Sequence, residues 1–467
     1  MGIALKKAGI DSFEILEKAA QLGGTWRDNT YPGAACDVPS HLYSYSFETK
    51  PDWSRMYAEQ PEILRYLEHC AEKYGVAPHI RFREEVARAS WNAADACWDI
   101  DTASGRSLRA RVLVAATGQL NRPALPNIDG LDSFAGPRFH SATWDHDVDL
   151  RQKRVGVIGT GASAIQFVPP VAEQAVALDL FQRSPPYILP KWDRKFLGIE
   201  KRIFERLAFT QAIHRAGMYA WGEARFIGLE SGGLPNALLK AITLKHLAMS
   251  VTDPALRAAL TPDYPPGCKR ILISNDYYPA LCRPNVKLWT APIVRVTPRG
   301  VITRDAGLHE LDVLILGTGF ASTQFLAPMT IRGRQGELLG ERWQAGAEAY
   351  LGLTVSGFPN FFMLYGPNTN LGHNSILVML EAQIGYVMEA LSLMKQRGVR
   401  ALDVKPHVFA SFQKEVARRV ADQVWQSGCT SWYKNEAGRN TNNWIGLTLE
   451  YRWRTRRPSP EQYDLIG

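Results

Sequence analysis

The hexad Gly159-Thr160-Gly161-Ala162-Ser163-Ala164, set directly behind the apolar run Val155-Gly156-Val157-Ile158, leaves this chain few choices of fold. A strand that ends in G-x-G-x-x-G/A and continues with helical spacing (Ile165, Val168) is the turn by which a parallel sheet offers a helix N-terminus to a pyrophosphate. A chance glycine turn is the alternative, and the strand before it and the helix after it speak against that. The next apolar strand, Ala177–Phe181, ends in Gln182-Arg183-Ser184. No carboxylate stands where the ribose of NAD would want one, and an arginine there suits the 2′-phosphate of NADP. An unliganded surface arginine is the competing reading of Arg183.

Around this unit the chain alternates strand and helix patterns, which predicts an α/β protein with two Rossmann-like dinucleotide units, the NADP unit inserted into the other. The expected division is 1–133 for the first part of an FAD-type unit, 134–145 for a linker, 146–320 for the NADP unit with a helical insertion at about 195–260, and 321–467 for the rest of the first unit and a tail. In the first unit Phe13-Glu14-Ile15-Leu16-Glu17 alternates like a strand and closes on a carboxylate where a ribose would be bound. Only sixteen residues precede Glu17, whereas a complete unit places a strand and glycine loop ~20 residues before that acid. The expectation is therefore a truncated start, with the first strand and its glycine loop missing.

The net charge of +8 raises nucleic acid as a partner. Its lysines and arginines are scattered without a nucleic-acid-binding signature, so an anionic dinucleotide is the simpler account. The six cysteines are dispersed and include no C-x-x-C pair. That spacing predicts neither metal site nor disulfide framework, and with no signal-peptide pattern it predicts the cytoplasm. The basic, aromatic stretch Lys201–Arg225 could lie on a membrane surface. Packing as a helical subdomain over a substrate pocket is the expectation, with membrane contact not expected.

Two segments carry more specific information. One is Gly23-Gly24-Thr25-Trp26-Arg27 followed by Tyr31-Pro32-Gly33-Ala34-Ala35-Cys36-Asp37 and Tyr43; the other is Phe134-Ala135-Gly136, His140 and Trp144-Asp145. The second is similar to F-x-G-x-x-x-H-x-x-x-W-(P/D), the fingerprint of Baeyer–Villiger monooxygenases, and lies just ahead of the NADP-type loop as in that family. The likeness continues through Ala116-Thr117-Gly118, Gly267-Cys268-Lys269-Arg270, Leu316–Phe320, Gly366-Pro367-Asn368 and Ser431-Trp432-Tyr433.

The resemblance implies FAD and NADPH as cofactors and a flavin C4a-peroxide that inserts one oxygen of O2 beside a ketone carbonyl, giving an ester or lactone. It implies Arg270 as the catalytic arginine, with Asp37 tuning its position. A guanidinium fits because it stays charged at any working pH, although one structural ion pair would show the same two residues. By resemblance Glu17, Gly24, Thr25, Trp26, Asp37, Tyr43 and Val86 bind FAD. Gly159, Thr160, Gly161, Ala162, Ser163, Ala164, Arg183, Ser184, Lys269, Arg270 and Trp432 bind NADP. Phe134, Gly136, His140, Trp144 and Asp145 form the fingerprint. His140 lacks a second ligand at metal spacing, so a hinge role is expected of it. The alternatives are an N- or S-oxygenating flavin monooxygenase and a non-catalytic NADP-binding fragment.

Overall fold

The computed structural model describes residues 1–226, 233–426 and 428–467. Arg154–Ile158 is buried along nearly its whole length, as a strand covered on both faces must be. It is the centre of a five-stranded parallel sheet in the order Val286–Trp289, Ala177–Phe181, Arg154–Ile158, Val313–Leu316, Arg138–His140. The helix Ala164–Gln174 turns Ile165, Phe167, Val168 and Val171 onto that sheet and builds one core with it. The stretch expected as a linker contributes the edge strand Arg138–His140, in register with Leu314–Leu316.

The first unit has the same parallel style but no continuous sheet. Ile15–Glu17 pairs with Ile80–Phe82, and Leu113–Ala115 pairs with Phe361–Met363, as two separate two-stranded ribbons. Among the described residues no strand joins them, and only the second unit has a glycine turn directly after its central strand. A short helix, Gly2–Lys7, opens the chain. An antiparallel sheet of Val86–Asn92, Cys97–Thr102 and Ser107–Ala110, extended by Thr330–Arg332, flanks the unit. The long helix Ile376–Arg397 starts at a Ser375 cap and ends at Gly398, whose φ of +64° only glycine takes easily. It is long and apolar enough to cross a membrane, yet Met379, Gln383, Tyr386, Val387 and Ala390 bury one side of it in the largest core.

The insertion is helical as expected, with Gly198–Arg206, Ala208–Phe226, Leu234–Ser250 and Pro254–Ala259. Its packing is not as expected. Phe209 and Trp221 point outward, while Gln211 and Arg215 face the protein and bond to backbone carbonyls there. Hydrophobic periodicity finds the stripe on a helix without saying what covers it. A second correction concerns the cysteines: Cys268 and Cys429, 161 residues apart, are joined as a disulfide. Spacing along the chain carries no trace of a pair that close only in space.

Candidate active site

Asp37 reaches the site at the end of a loop that the NADP unit holds in place. Tyr31 donates its hydroxyl to Gln166 Oε1 at 2.9 Å, and Gln166 Nε2 donates to the Ala35 carbonyl at 3.0 Å. Gly33, at φ +80°, lies so close to the same helix that a Cβ would sit 2.7 Å from the Gln166 carbonyl oxygen. Glycine is required there on both counts. The motif from Tyr31 to Asp37 is thus a strap from the first unit onto the Ala164–Gln174 helix of the second.

Arg270 comes from the second unit, two residues beyond the disulfide. Its Nε and Nη2 both donate to Asp37 Oδ2, at 3.0 and 2.6 Å, and Nη1 donates to the Leu371 carbonyl at 3.3 Å. Three of five guanidinium N–H groups are used in these bonds, which leaves two for Tyr433 beside it and for a bound carbonyl or amide. The Asp37 charge holds the Arg270 pKa above its ordinary value against the opposing effect of burial. Burial alone would raise Asp37, but the charge and hydrogen bonds of Arg270 outweigh it and keep the carboxyl below its usual range. Both side chains keep a quarter or more of their surface open, at 25% and 30%. The ion pair is thus enclosed by protein yet open on one side.

For NADP the residues fit. A Cβ on Gly159 would stand 2.3 Å from the Gly317 carbonyl oxygen, whereas one on Gly161 would meet nothing within 4 Å. The first glycine lets two backbone segments touch, and the second leaves open space over the helix N-terminus, where a pyrophosphate fits. Beside this, Lys269 Nζ donates to Ser184 Oγ at 2.5 Å, and Thr160 Oγ1 donates to the Ser184 carbonyl at 3.2 Å. Burial, then the charge of Arg183, lowers the Lys269 pKa, so two cations share one spot that an anion would relieve. Trp432 lies next to this region, its ring 4.5 Å from that of Tyr433 and its carbonyl accepting from Ser322 Oγ.

For FAD the two ends fit and the middle is thinner. Glu17 Oε1 accepts the Ala19 N–H at 2.8 Å and pairs with Arg27 at 3.2 Å, while part of the carboxylate stays open as a ribose partner needs. Glu84 N–H donates to the Glu17 carbonyl, which sets Val86 near the same end. Toward the other end Gly24 caps the short helix Thr25–Asp28, and Trp26 Nε1 donates to Tyr43 at 3.1 Å. The glycine cradle for a pyrophosphate is present in the second unit and not between these two ends.

The fingerprint works as packing. His140 is buried, its Nδ1 accepts the Ala142 N–H, and burial lowers its pKa, which favours the neutral imidazole. Trp144 packs on Tyr31 of the first unit and on Phe139 and Phe167 of the second. Phe134 is buried with Leu131, Val296 and Leu316, and Gly136 leaves no room for a Cβ against the Asp312 carbonyl. Among the described residues no group of His, Cys, Asp and Glu could hold a metal. Sequence reasoning missed Tyr365, Leu371 and Tyr433 as neighbours of Arg270. The flagged Gly366-Pro367-Asn368 and Ser431-Trp432-Tyr433 were the available signals.

Residues 1–187 match the family model described as pyridine nucleotide-disulphide oxidoreductase. Over 467 residues the chain is 45% identical to a Baeyer-Villiger monooxygenase of Pseudomonas aeruginosa, spanning 100% of this chain and 89% of that one. A Baeyer-Villiger monooxygenase of Streptomyces coelicolor is 42% identical over 466 residues, spanning 99% and 90%. Among solved structures, an oxidized steroid monooxygenase bound to NADP superposes with a TM-score of 0.88 at 33% identity, covering 100% of this chain and 97% of that one. A closed cyclohexanone monooxygenase gives 0.88 at 26% identity, covering 100% and 96%.

Proposed function

Because the chain belongs to the Baeyer–Villiger monooxygenase family, we infer that the open Asp37–Arg270 pair is the reaction centre of its FAD- and NADPH-dependent oxygenation. The protein is an oxidoreductase that acts on a small-molecule substrate with O2. When bound, FAD takes the hydride of NADPH and activates O2, chemistry that no side chain here supplies.

The residues themselves position, charge and enclose. Arg270 offers a permanent cation whose direction is fixed by Asp37 on one side and by the Leu371 carbonyl on the other. Of its two remaining N–H groups one serves Tyr433, and the other is left to stabilise negative charge that develops on oxygen beside a ketone carbonyl, favouring the ester or lactone product. Asp37 is a positioning residue, since it accepts from Arg270 and stays ionised. Arg183, Ser184 and Lys269 clamp the 2′-phosphate of NADPH, and Gly159 to Ala164 receive its pyrophosphate. Glu17, Gly24, Thr25, Trp26, Tyr43 and Val86 border FAD. His140 and Trp144 join the two units and transmit nucleotide binding to their closure. The four free cysteines, three of them buried, suit a cytoplasmic setting, whereas the Cys268–Cys429 disulfide does not.

The Asp37–Arg270 geometry carries this reading. Arg270→Ala is expected to lower ester formation by about a hundredfold or more, while FAD absorbance of the purified protein is retained. Product analysis by gas chromatography checks it, and full activity in the variant would remove Arg270 from the centre.

A further inference from the structure

The helix Ala208–Phe226 is turned inside out for a protein in water. Its inner side carries Gln211 and Arg215, bonded to His41, Lys50 and Ser44, and Gly222, pressed against Asn374. Its outer side shows Phe209, Ala212, Ile213, Ala216 and Ala220 at three- and four-residue steps, with Trp221 next to the last of them, all exposed. Phe209 and Ile213 are 62% and 66% exposed. The apolar stripe runs from Phe209 to Trp221, which at ~1.5 Å per residue is roughly 18 Å of the helix. A stripe of that length in contact with water is unfavourable at about 25 cal/mol per Å2, so something covers it.

The stripe belongs to a larger surface. Trp192 lies 6.3 Å from Trp221, ring to ring. The helix Thr448–Arg454 is tied to Ala208–Phe226, because Thr448 Oγ1 donates to Glu223 and accepts from the Tyr219 hydroxyl, and it exposes Leu449 and Trp453. At the inner edge of the stripe Ala212 and Ala216 line a recess of about 480 Å3 together with Gln211, Arg215, Glu381 and Arg452. Half of the twenty-two exposed large hydrophobics among the described residues fall within 192–221 and 447–453.

Charge decides what covers this surface. Residues 192–226 and 447–457 hold eleven Lys and Arg against five Asp and Glu. Four of those acids are already engaged, Asp193 with Arg55, Glu200 with Arg194, Glu223 with Asn374 and Thr448, and Glu450 with Arg419, and so are Arg194, Arg215, Arg225 and Arg454, which leaves Lys195, Lys201, Arg202, Arg206, Arg452, Arg456 and Arg457 against Glu205. A two-fold contact with a second copy would set this excess of cations against itself. An anionic lipid surface instead matches the cations at the rim and the apolar side chains between them, and exposed tryptophans suit the headgroup level.

We infer that the outer face of Ala208–Phe226, with Trp192 and the exposed edge of Thr448–Arg454, docks the enzyme on an anionic membrane surface. The helix lies in the plane of the interface and crosses nothing.

The test is flotation of the full-length FAD-supplemented protein with vesicles of phosphatidylcholine alone or mixed equally with phosphatidylglycerol. The protein is expected to float with the mixed vesicles and about tenfold less with the neutral ones. The double variant Ile213→Glu/Trp453→Glu is expected to lose a further tenfold or more, with unchanged circular dichroism and unchanged turnover of a water-soluble ketone. Should the variant misfold, quenching of wild-type tryptophan emission by brominated lipid decides the matter in its place. Failure to float with either vesicle, or absence of quenching, overturns the inference. So does a wild-type dimer by light scattering that the double variant makes monomeric, because then a second copy covers the face.

Discussion

The two nucleotide units of this enzyme share a plan and differ in how continuous their sheets are. In the second, five parallel strands run unbroken, and the central one carries the glycine turn. In the first, the parallel strands stand as two pairs, and its functional groups come from far apart in the chain. Asp37, Arg270 and Leu371 meet only because the strap from Tyr31 to Asp37 is bonded to a helix of the other unit. A cradle within some thirty residues is made by local structure, and its ligand affinity should survive distant changes. A centre assembled across units depends on how the units sit against each other. Nucleotide affinity and reactivity are therefore separable in this molecule.

The sharpest way to test the local cradle is Gly161→Val. No protein atom lies within 4 Å of a Cβ there, so the fold should not notice the change, while the space for the pyrophosphate is filled. NADPH affinity is expected to fall by about a hundredfold with the melting temperature within ~2 °C of wild type. Titration by isothermal calorimetry and a thermal scan read the two separately. A large loss of stability would show that this glycine serves the fold instead.

Breaking the bond between units should cost stability as well as rate. Asp37→Asn leaves Arg270 charged without its counter-ion, an expected loss of about 3 kcal/mol, at the low end for a buried pair because the site is partly open. The sign with pH follows from the direction of the shift. The folded Asp37 pKa is below its ordinary value of 3.8, so its contribution is full above that value and fades as pH falls through the folded one. Wild-type stability should therefore drop below about pH 4 more steeply than that of the variant, as urea unfolding at several pH values would show. Parallel curves would deny the pair its role in joining the units.

A smaller effect is expected at the rim of the cradle. Arg183→Ala should raise KM for NADPH about tenfold and leave that for NADH nearly unchanged. Equal changes for both nucleotides would place the 2′-phosphate elsewhere.

What could be read from the sequence follows the same division. The strand, turn and helix from Arg154 to Gln174 are local patterns, and the alternation of apolar residues and the glycine spacing foretold them correctly. Arg270 and Asp37 could be named and paired from motif resemblance alone, since nothing in spacing says that residues 233 apart share a hydrogen bond. Tyr365 was invisible for that reason, as was the Cys268–Cys429 bridge, and Tyr433 was flagged within its motif without being placed beside Arg270. The outward face of Ala208–Phe226 shows the other limit. Its stripe was legible, but a stripe buried in a core and one laid against a partner have the same period. Only the inward placement of Gln211 and Arg215 tells them apart.

The mildest change falls on the ribose end of the split unit. Glu17 Oε1 already accepts from Ala19 N–H and pairs with Arg27, so Glu17→Gln keeps an acceptor and its local turn while removing the charge. The loss should be that of one charge-assisted hydrogen bond in a partly open site, about 1 kcal/mol or a few-fold in FAD affinity. Quenching of flavin fluorescence on titration measures it. If this substitution instead weakened FAD as strongly as Gly161→Val weakens NADPH, the first unit would be concentrating its affinity in one residue. The contrast between a local cradle and a distributed centre would then fail on the flavin side.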